Sequence, residues 1–487
     1  MAPTNQDRTS ARAAAPPPAA APATAGPRPA LEHNMRINTL HGVVSIMGIN
    51  LIQPFVGIFA VKLGATNYQI ALLSSAPAVV SLLAMIPGAR LVDRFNRKKR
   101  ITMYFLLAHR MFFLAMATIP FFTPDRRAAA LVAMVALMNL PGAIGNVAWQ
   151  SFISGIVPAS LRPRAFASRN RWMNLVGTVV VLIAGRMLDL MSFPTGYQVG
   201  FALAFVFAIG EMAVFSRIDE DAALSLGVAA SAGTPGGAGA ATLAGTANAA
   251  TPHEPDAGST LRGWSPSASG PEPSGPLATL RRTWREVSSH KSFLRYVTAS
   301  VYFYFAWQIA WPLFTLYQVR VLGANNLWVS ILNLANTGGS LVGYGFWANY
   351  ASRRGNLRTL FAASAGIFVV PVVYAFSRSL YTVAAFNLLT GAIFSGVNLS
   401  LFNALLDTTP ERHRTSYIAY YSTSVNAAAI LAPIAGVALL NRLGFMWAFL
   451  IAAAFRMTGS LAFLWIDLLE AKDRVPQGLA THKNVSA

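Results

Sequence analysis

Twelve mostly apolar stretches follow one another along this chain, at residues 38–62, 68–90, 101–122, 128–156, 172–191 and 198–216, and then at 295–319, 327–348, 359–377, 380–406, 416–441 and 445–466. A hydrocarbon layer about 30 Å thick needs about 20 helical residues to cross it, so each stretch is long enough to span one. Inside lipid every backbone N–H and C=O must be bonded within the protein, which leaves helices or a closed barrel. Barrel strands alternate apolar and polar residues, and these stretches do not. The expected fold class is an all-α membrane protein with about twelve transmembrane helices.

Only 11% of the residues are charged, against 54% apolar, whereas a soluble chain carries about a quarter charged residues. The net charge of +20 does not indicate nucleic acid, because Lys and Arg sit in short clusters between apolar runs and form no continuous basic face. Cysteine is absent, which excludes disulfides, thiolate metal sites and cysteine nucleophiles. Residues 1–35 are rich in Ala, Pro and Thr and lack the apolar region of a cleaved signal, so they read as a disordered tail and the first span as the insertion signal. Residues 36–217 then form one bundle and 293–468 another. Residues 218–292, with tracts such as Thr234-Pro235-Gly236-Gly237, form a flexible linker that ends in a short charged stretch suited to the membrane surface. Residues 469–487 are a C-terminal tail.

Arg94, Arg97, Lys98, Lys99, Arg100, Arg162, Arg164, Arg169, Arg171, Arg353, Arg354, Arg358, Arg412 and Arg414 fall in loops on one side. The opposite side has Lys62, Arg126, Arg127, Arg320, Arg378 and Arg442. The excess marks the first side as cytoplasmic. A multi-pass plasma (inner) membrane protein with both termini and the linker in the cytoplasm is expected.

The two halves repeat. Leu63-Gly64-Ala65-Thr66-Asn67 returns as Leu322-Gly323-Ala324-Asn325-Asn326, and at the same offset of 259 residues Arg94 falls on Arg353. Pro158-Ala159-Ser160-Leu161-Arg162 matches Pro410-Glu411-Arg412-His413-Arg414 at an offset of 252, which brings Asn146 onto Asn398. Repeats of this kind are a signature of transporter folds. Two pseudo-symmetric bundles of six helices follow.

The loop after the second span reads Gly88-Ala89-Arg90-Leu91-Val92-Asp93-Arg94-Phe95-Asn96-Arg97-Lys98. It resembles the Gly-x-Leu-Ala-Asp-Arg-x-Gly-Arg-Lys pattern of the major facilitator superfamily, with Ala89 and Asn96 in the two glycine positions. The second-half copy, Ser352-Arg353-Arg354-Gly355, keeps the Arg and the Gly and lacks the Asp. The resemblance covers the chain apart from the tails and the linker. It implies the fold of that family, secondary transport of a small solute by alternating access, and a gating loop made here of Asp93, Arg94, Arg97, Lys98, Arg353 and Gly355. Asp93 would accept N–H groups at the start of the eleventh helix near Thr415 and Ser416, an interaction worth about 0.3–2 kcal/mol. The other reading is a solvated, positive-inside loop. The intramembrane Arg and the Gly-Pro-x-x-Gly-Gly signature of proton-driven drug antiporters are missing from the fourth and fifth spans.

The resemblance also implies a cavity lined by spans one, four, seven and ten. Those spans offer Asn50 and Gln53; Asn139, Asn146 and Gln150; Tyr304, Trp307, Gln308 and Trp311; and Asn387, Asn398 and Asn403. Amides and aromatic rings without fixed charge suit a neutral or amphipathic solute, although the same amides also join helices to one another. Ionisable groups inside a span are costly and are functional candidates by default. His109, Arg110, Glu211 and Arg456 are such groups. Glu211 and Arg110 lie within reach of each other, as a static strut or as a proton-sensitive couple, and protons are the candidate coupling ion. No constellation for catalysis, metal or cofactor is visible, and a monomer in the lipid bilayer is expected. A transporter-like sensor that binds solute without moving it is the alternative.

Overall fold

The structure, a computed structural model, describes residues 28–95, 97–157, 162–219, 290–409 and 414–474. Every regular element among them is helical. α1 (Arg28–Asn50) and α2 (Val56–Lys62) make the first span, followed by α3 (Asn67–Asp93), α4 (Lys98–Ala117), α5 (Pro124–Ile156), α6 (Arg162–Leu190) and α7 (Thr195–Phe215). In the second half α8 (Lys291–Gln308) and α9 (Trp311–Leu316) make span seven, and α10 (Asn326–Arg354) makes span eight. Span nine is α11 (Asn356–Ile367) with α12 (Val369–Phe376), and span ten is α13 (Leu380–Thr408). α14 (Arg414–Arg474) holds spans eleven and twelve and breaks at Gly444, whose φ of 77° takes that residue out of the helix.

Nine helical stretches among the described residues are long and apolar enough to cross a membrane, one of which, Tyr420–Leu469, covers two spans. Spans seven and eight are more polar, with Tyr302, Tyr304 and Gln308 in one and Asn333, Asn336 and Tyr344 in the other. α1 begins at Arg28, within the region that composition reads as tail. α6 begins at Arg162, about ten residues before its apolar stretch, because the basic segment that precedes it is itself helical. This corrects the placement of Arg162, Arg164, Arg169 and Arg171. They lie within α6 and not in a loop.

The repeated turns close the same way in each half. Gly64 and Gly323 adopt φ of 84° and 68°, which only a residue without Cβ enters at little cost. Thr66 then caps α3 by accepting from Gln69 N at 3.2 Å, and Asn325 caps α10 by accepting from Trp328 N at 3.0 Å.

Spans eight and ten pack backbone to backbone. A Cβ added at Gly339 would lie 1.7 Å from Leu388 O, and one at Gly391 would lie 1.9 Å from Asn336 O. Ser340 Oγ donates to Gly391 O at 3.0 Å across the same contact. Small residues allow such approach where no hydrophobic force joins helices in lipid. Gly391→Ala must therefore part the two helices. It is expected to cost about 1–3 kcal/mol, read as a lower unfolding temperature. Gly345→Ala, where nothing lies within 4 Å, should be neutral or slightly stabilising.

One large apolar core joins the two halves. It contains Phe55, Phe59, Tyr197 and Phe201 from the first half and Leu313, Leu316, Tyr317, Tyr374 and Phe449 from the second. These residues sit at the ends of the spans away from the basic loops. The cores at the basic side belong to one half each.

Candidate functional site

The first span of each half is broken at the same place. Pro54 lacks the N–H that would bond Asn50 O, and Pro312 lacks the one that would bond Gln308 O, at a shared offset of 258 residues. Each break leaves an amide side chain in mid-span. Asn50 Nδ2 donates to Gly177 O on α6 at 3.0 Å, whereas Gln308 is buried and makes no hydrogen bond among the described residues.

Around Gln308 stands a group of aromatic rings. Trp307 lies 5.6 Å from Tyr304 and 4.7 Å from Phe394 of span ten, centroid to centroid. Trp311 is half-buried at the start of α9. The other cavity candidates separate. Gln53 and Asn146 are exposed, and Asn398 and Asn403 are half-buried without a hydrogen bond among the described residues. Gln150 is half-buried and has a partner. Asn139 turns to its own helix, donating to Val135 O at 2.7 Å, and Asn387 stands beside the Tyr374 hydroxyl.

The ionisable groups form two separate arrangements. Arg110 Nε donates to Glu211 Oε2 at 3.0 Å, and its Nη2 donates to Ser45 Oγ at 2.9 Å. His41 Nε2 lies 3.3 Å from Glu211 Oε1 without the alignment of a hydrogen bond. His41 and Ser45 belong to α1 and complete a group that sequence reasoning saw only as Arg110 and Glu211. His109 stays apart from it, with Nδ1 2.8 Å from Met138 O on α5.

Arg456 is 1% exposed and has no carboxylate partner among the described residues. Its Nη2 donates to Trp307 O at 2.7 Å, with Nε and Nη1 3.4 Å from Ala306 O and Ile367 O. These carbonyls end α8 and α11. Ile367 O is the acceptor that Pro371, lacking an N–H, leaves empty. A cation at two helix C-termini is compensated by their dipoles. Arg456 thus holds the breaks in spans seven and nine together.

At the side away from the basic loops, the halves are joined by paired hydrogen bonds. Asp189, at the end of α6, accepts from Asn326 N at 3.1 Å, Asn326 Nδ2 at 2.9 Å and Leu327 N at 2.8 Å. Its carboxylate therefore sits on the N-terminus of α10. Tyr197 OH donates to Asn326 Oδ1 at 2.6 Å, and Ser330 Oγ donates to Val181 O at 2.8 Å. The partner seam repeats the pattern: Asn67 Nδ2 donates to Asn441 Oδ1 at 2.6 Å, and Arg320 donates to Asn67 Oδ1 and to Ala65 O at 2.6 and 2.5 Å. Asn67 corresponds to Asn326 at the 259 offset, and Asp189 to Asn441 at the 252 offset. Asn67 and Asn326 belong to the repeated sequence motif, whereas Asp189 and Asn441 lie outside it. Among the described residues, the hydrogen bonds that join the halves all lie on this side.

Of the gating-loop residues, Arg94, Arg97 and Arg353 are exposed, and Lys98 Nζ donates to Ser151 Oγ within its own half at 2.6 Å. Lys99 Nζ reaches Ser216 O and Ile218 O at the C-terminus of α7, at 2.7 and 2.6 Å. Gly355 ends α10 with φ of 82°. The side chains of Asp93, Thr415 and Ser416, and all of Asn96, lie outside the described residues.

The sequence profile of the Major Facilitator Superfamily matches residues 40–377 and again 297–486. No curated protein sequence matches the chain. Among solved structures, the nucleoside transporter NupG superposes with a TM-score of 0.62 at 10% identity, covering 89% of this chain and 99% of that one. An aspartate-to-alanine mutant of NupG gives 0.61 at 10% identity, covering 90% and 99%. At that identity the likeness speaks for the fold. With the profile matching nearly the whole of both six-helix halves, the chain belongs to the Major Facilitator Superfamily.

Proposed function

We propose that this membrane transport protein moves a small polar or amphipathic solute by alternating access, with its basic loops in the cytoplasm and its halves closed on the outer side. The observation that carries this reading is the outer seam. It is built from individually modest, pseudo-symmetric hydrogen bonds between rigid halves, a closure that can be released as a unit. The broken helices of spans one and seven set amide and aromatic groups behind it. NupG is a nucleoside transporter, and nucleosides, which join a planar ring to hydroxyl groups, are a reasonable first compound class to screen. Protons are the proposed coupling ion. The close pairing of Glu211 with Arg110 favours a strut over a proton carrier, because protonating Glu211 would leave Arg110 buried beside a neutral acid.

Alternating access exposes one site to each side in turn. In this cysteine-free chain a single Gln53→Cys, placed at the break of span one, should be labelled by an impermeant thiol reagent added to either face of oriented membrane vesicles. Labelling from one face only would mean that the site does not alternate.

A further inference from the structure

The basic-side end of the first half contains a half-buried guanidinium. Arg169 lies in the second turn of α6, between α1 and α5, and no hydrogen bond or ion pair engages it among the described residues. Its Nε is fully enclosed. The guanidinium carbon stands 4.6 Å from the centroid of the Trp149 ring, and the side chain passes so close to Gly42 that a Cβ there would lie 2.6 Å from Nε. The buried arginines Arg110 and Arg456 are both hydrogen-bonded. Arg169 is the exception.

Other polar atoms at this end of the bundle share that condition. Trp149 Nε1, Asn38 Oδ1 and Nδ1 of His41 are all buried without a hydrogen-bond partner among the described residues. Asn38 precedes Gly42 by one helical turn and so lies on the same face of α1. Buried polar atoms are nearly always bonded, and a local cluster of exceptions marks a place where something else binds. The charge balance points the same way. Glu211 is ion-paired with Arg110 and acts on Arg169 only without contact, so two guanidinium groups draw on one carboxylate. A guanidinium presents a planar fork of donors that fits a carboxylate through two parallel bonds, and the indole N–H adds a further donor.

We propose that Arg169, backed by Trp149, is an anion-binding subsite, and that the solute carries a carboxylate or a comparably planar acidic group. The inference rests on the transport reading above for what the bound molecule is, and it replaces the expectation of a neutral solute. That expectation assumed no fixed charge beside the cavity and placed Arg169 in a loop.

The test uses the full-length protein in detergent and two isosteric probes, benzoate and benzamide, followed by thermal unfolding at equal ionic strength. Benzoate should raise the unfolding midpoint of the parent by several degrees once its concentration exceeds the dissociation constant many-fold, and benzamide should not. Arg169→Gln should abolish the rise, and Arg169→Lys should weaken it by losing the fork. Arg171→Gln, at an exposed position two residues on, should leave it unchanged. Failure of benzoate to shift the parent, an equal shift with benzamide, or a full shift in Arg169→Gln would each overturn the proposal. Should Arg169→Gln fail to fold, the parent comparison and the Lys variant still decide. Binding read in this way needs no movement of the halves. Its failure would leave alternating access standing, and one-sided labelling at Gln53→Cys would leave the subsite standing.

Discussion

Glu211→Gln is expected to lower the stability of the protein by about 3–5 kcal/mol, the range for removing one partner of a buried ion pair. Glu211 is 1% and Arg110 5% exposed. Glutamine keeps the shape and loses the charge, so the guanidinium of Arg110 is left in a low-dielectric bundle with only neutral acceptors, the new amide oxygen and Ser45 Oγ. The double variant Arg110→Leu with Glu211→Leu should recover most of the loss, because no charge then remains to be solvated. Thermal unfolding in one detergent, with each single variant and the pair, measures the coupling. Singles that melt with the parent would show that the pair does not hold α4 to α7. Arg456 shows why an arginine can also be buried here without an acid. Three carbonyls at the ends of α8 and α11 take its donors, and the partial negative charge of two helix ends takes the place of a carboxylate.

Asp189→Ala should have the largest effect on the balance of states. Three N–H donors of Asn326 and Leu327 converge on its carboxylate, and two are backbone groups at the start of α10. Removing it should withdraw about 2 kcal/mol from the outward-closed state alone, since hydrogen bonds to charged groups contribute about 1.5–3 kcal/mol. That shifts the ratio of states by about 30-fold. Asn441→Ala, at the pseudo-symmetric position, should shift it less. The Asn67–Asn441 bond is uncharged, and Arg320 continues to hold Asn67.

The twelve spans and their two-fold repeat were legible in the sequence, because lipid imposes length and apolarity on every helix and the turns at Gly64 and Gly323 need the same backbone. The site was legible only in pieces. Pro54 and Pro312 are visible as residues, but the helix breaks they cause bring Gln308, Trp307 and Phe394 together only in three dimensions. His41 and Ser45 are small interruptions in an apolar run, and their partners on α4 and α7 lie far along the chain. Arg169 was misplaced because a helix that begins before the membrane looks like a basic loop. Asp189 bonds mostly to backbone N–H groups, which carry no residue signature at all. The packing of spans eight and ten was equally hidden, since Gly339 and Gly391 matter through the carbonyls they face.

The halves are expected to rock about a solute site, opening the outer seam as the basic side closes. Paired spin labels test it most directly, one pair at Phe121 and Tyr381 on the outer side and one at Phe95 and Ser352 on the basic side, all exposed positions. Each pair should show two distance populations, with Asp189→Ala moving the outer pair to longer and the basic-side pair to shorter distances together. A single population for both pairs, identical in the parent and in Asp189→Ala, would contradict it.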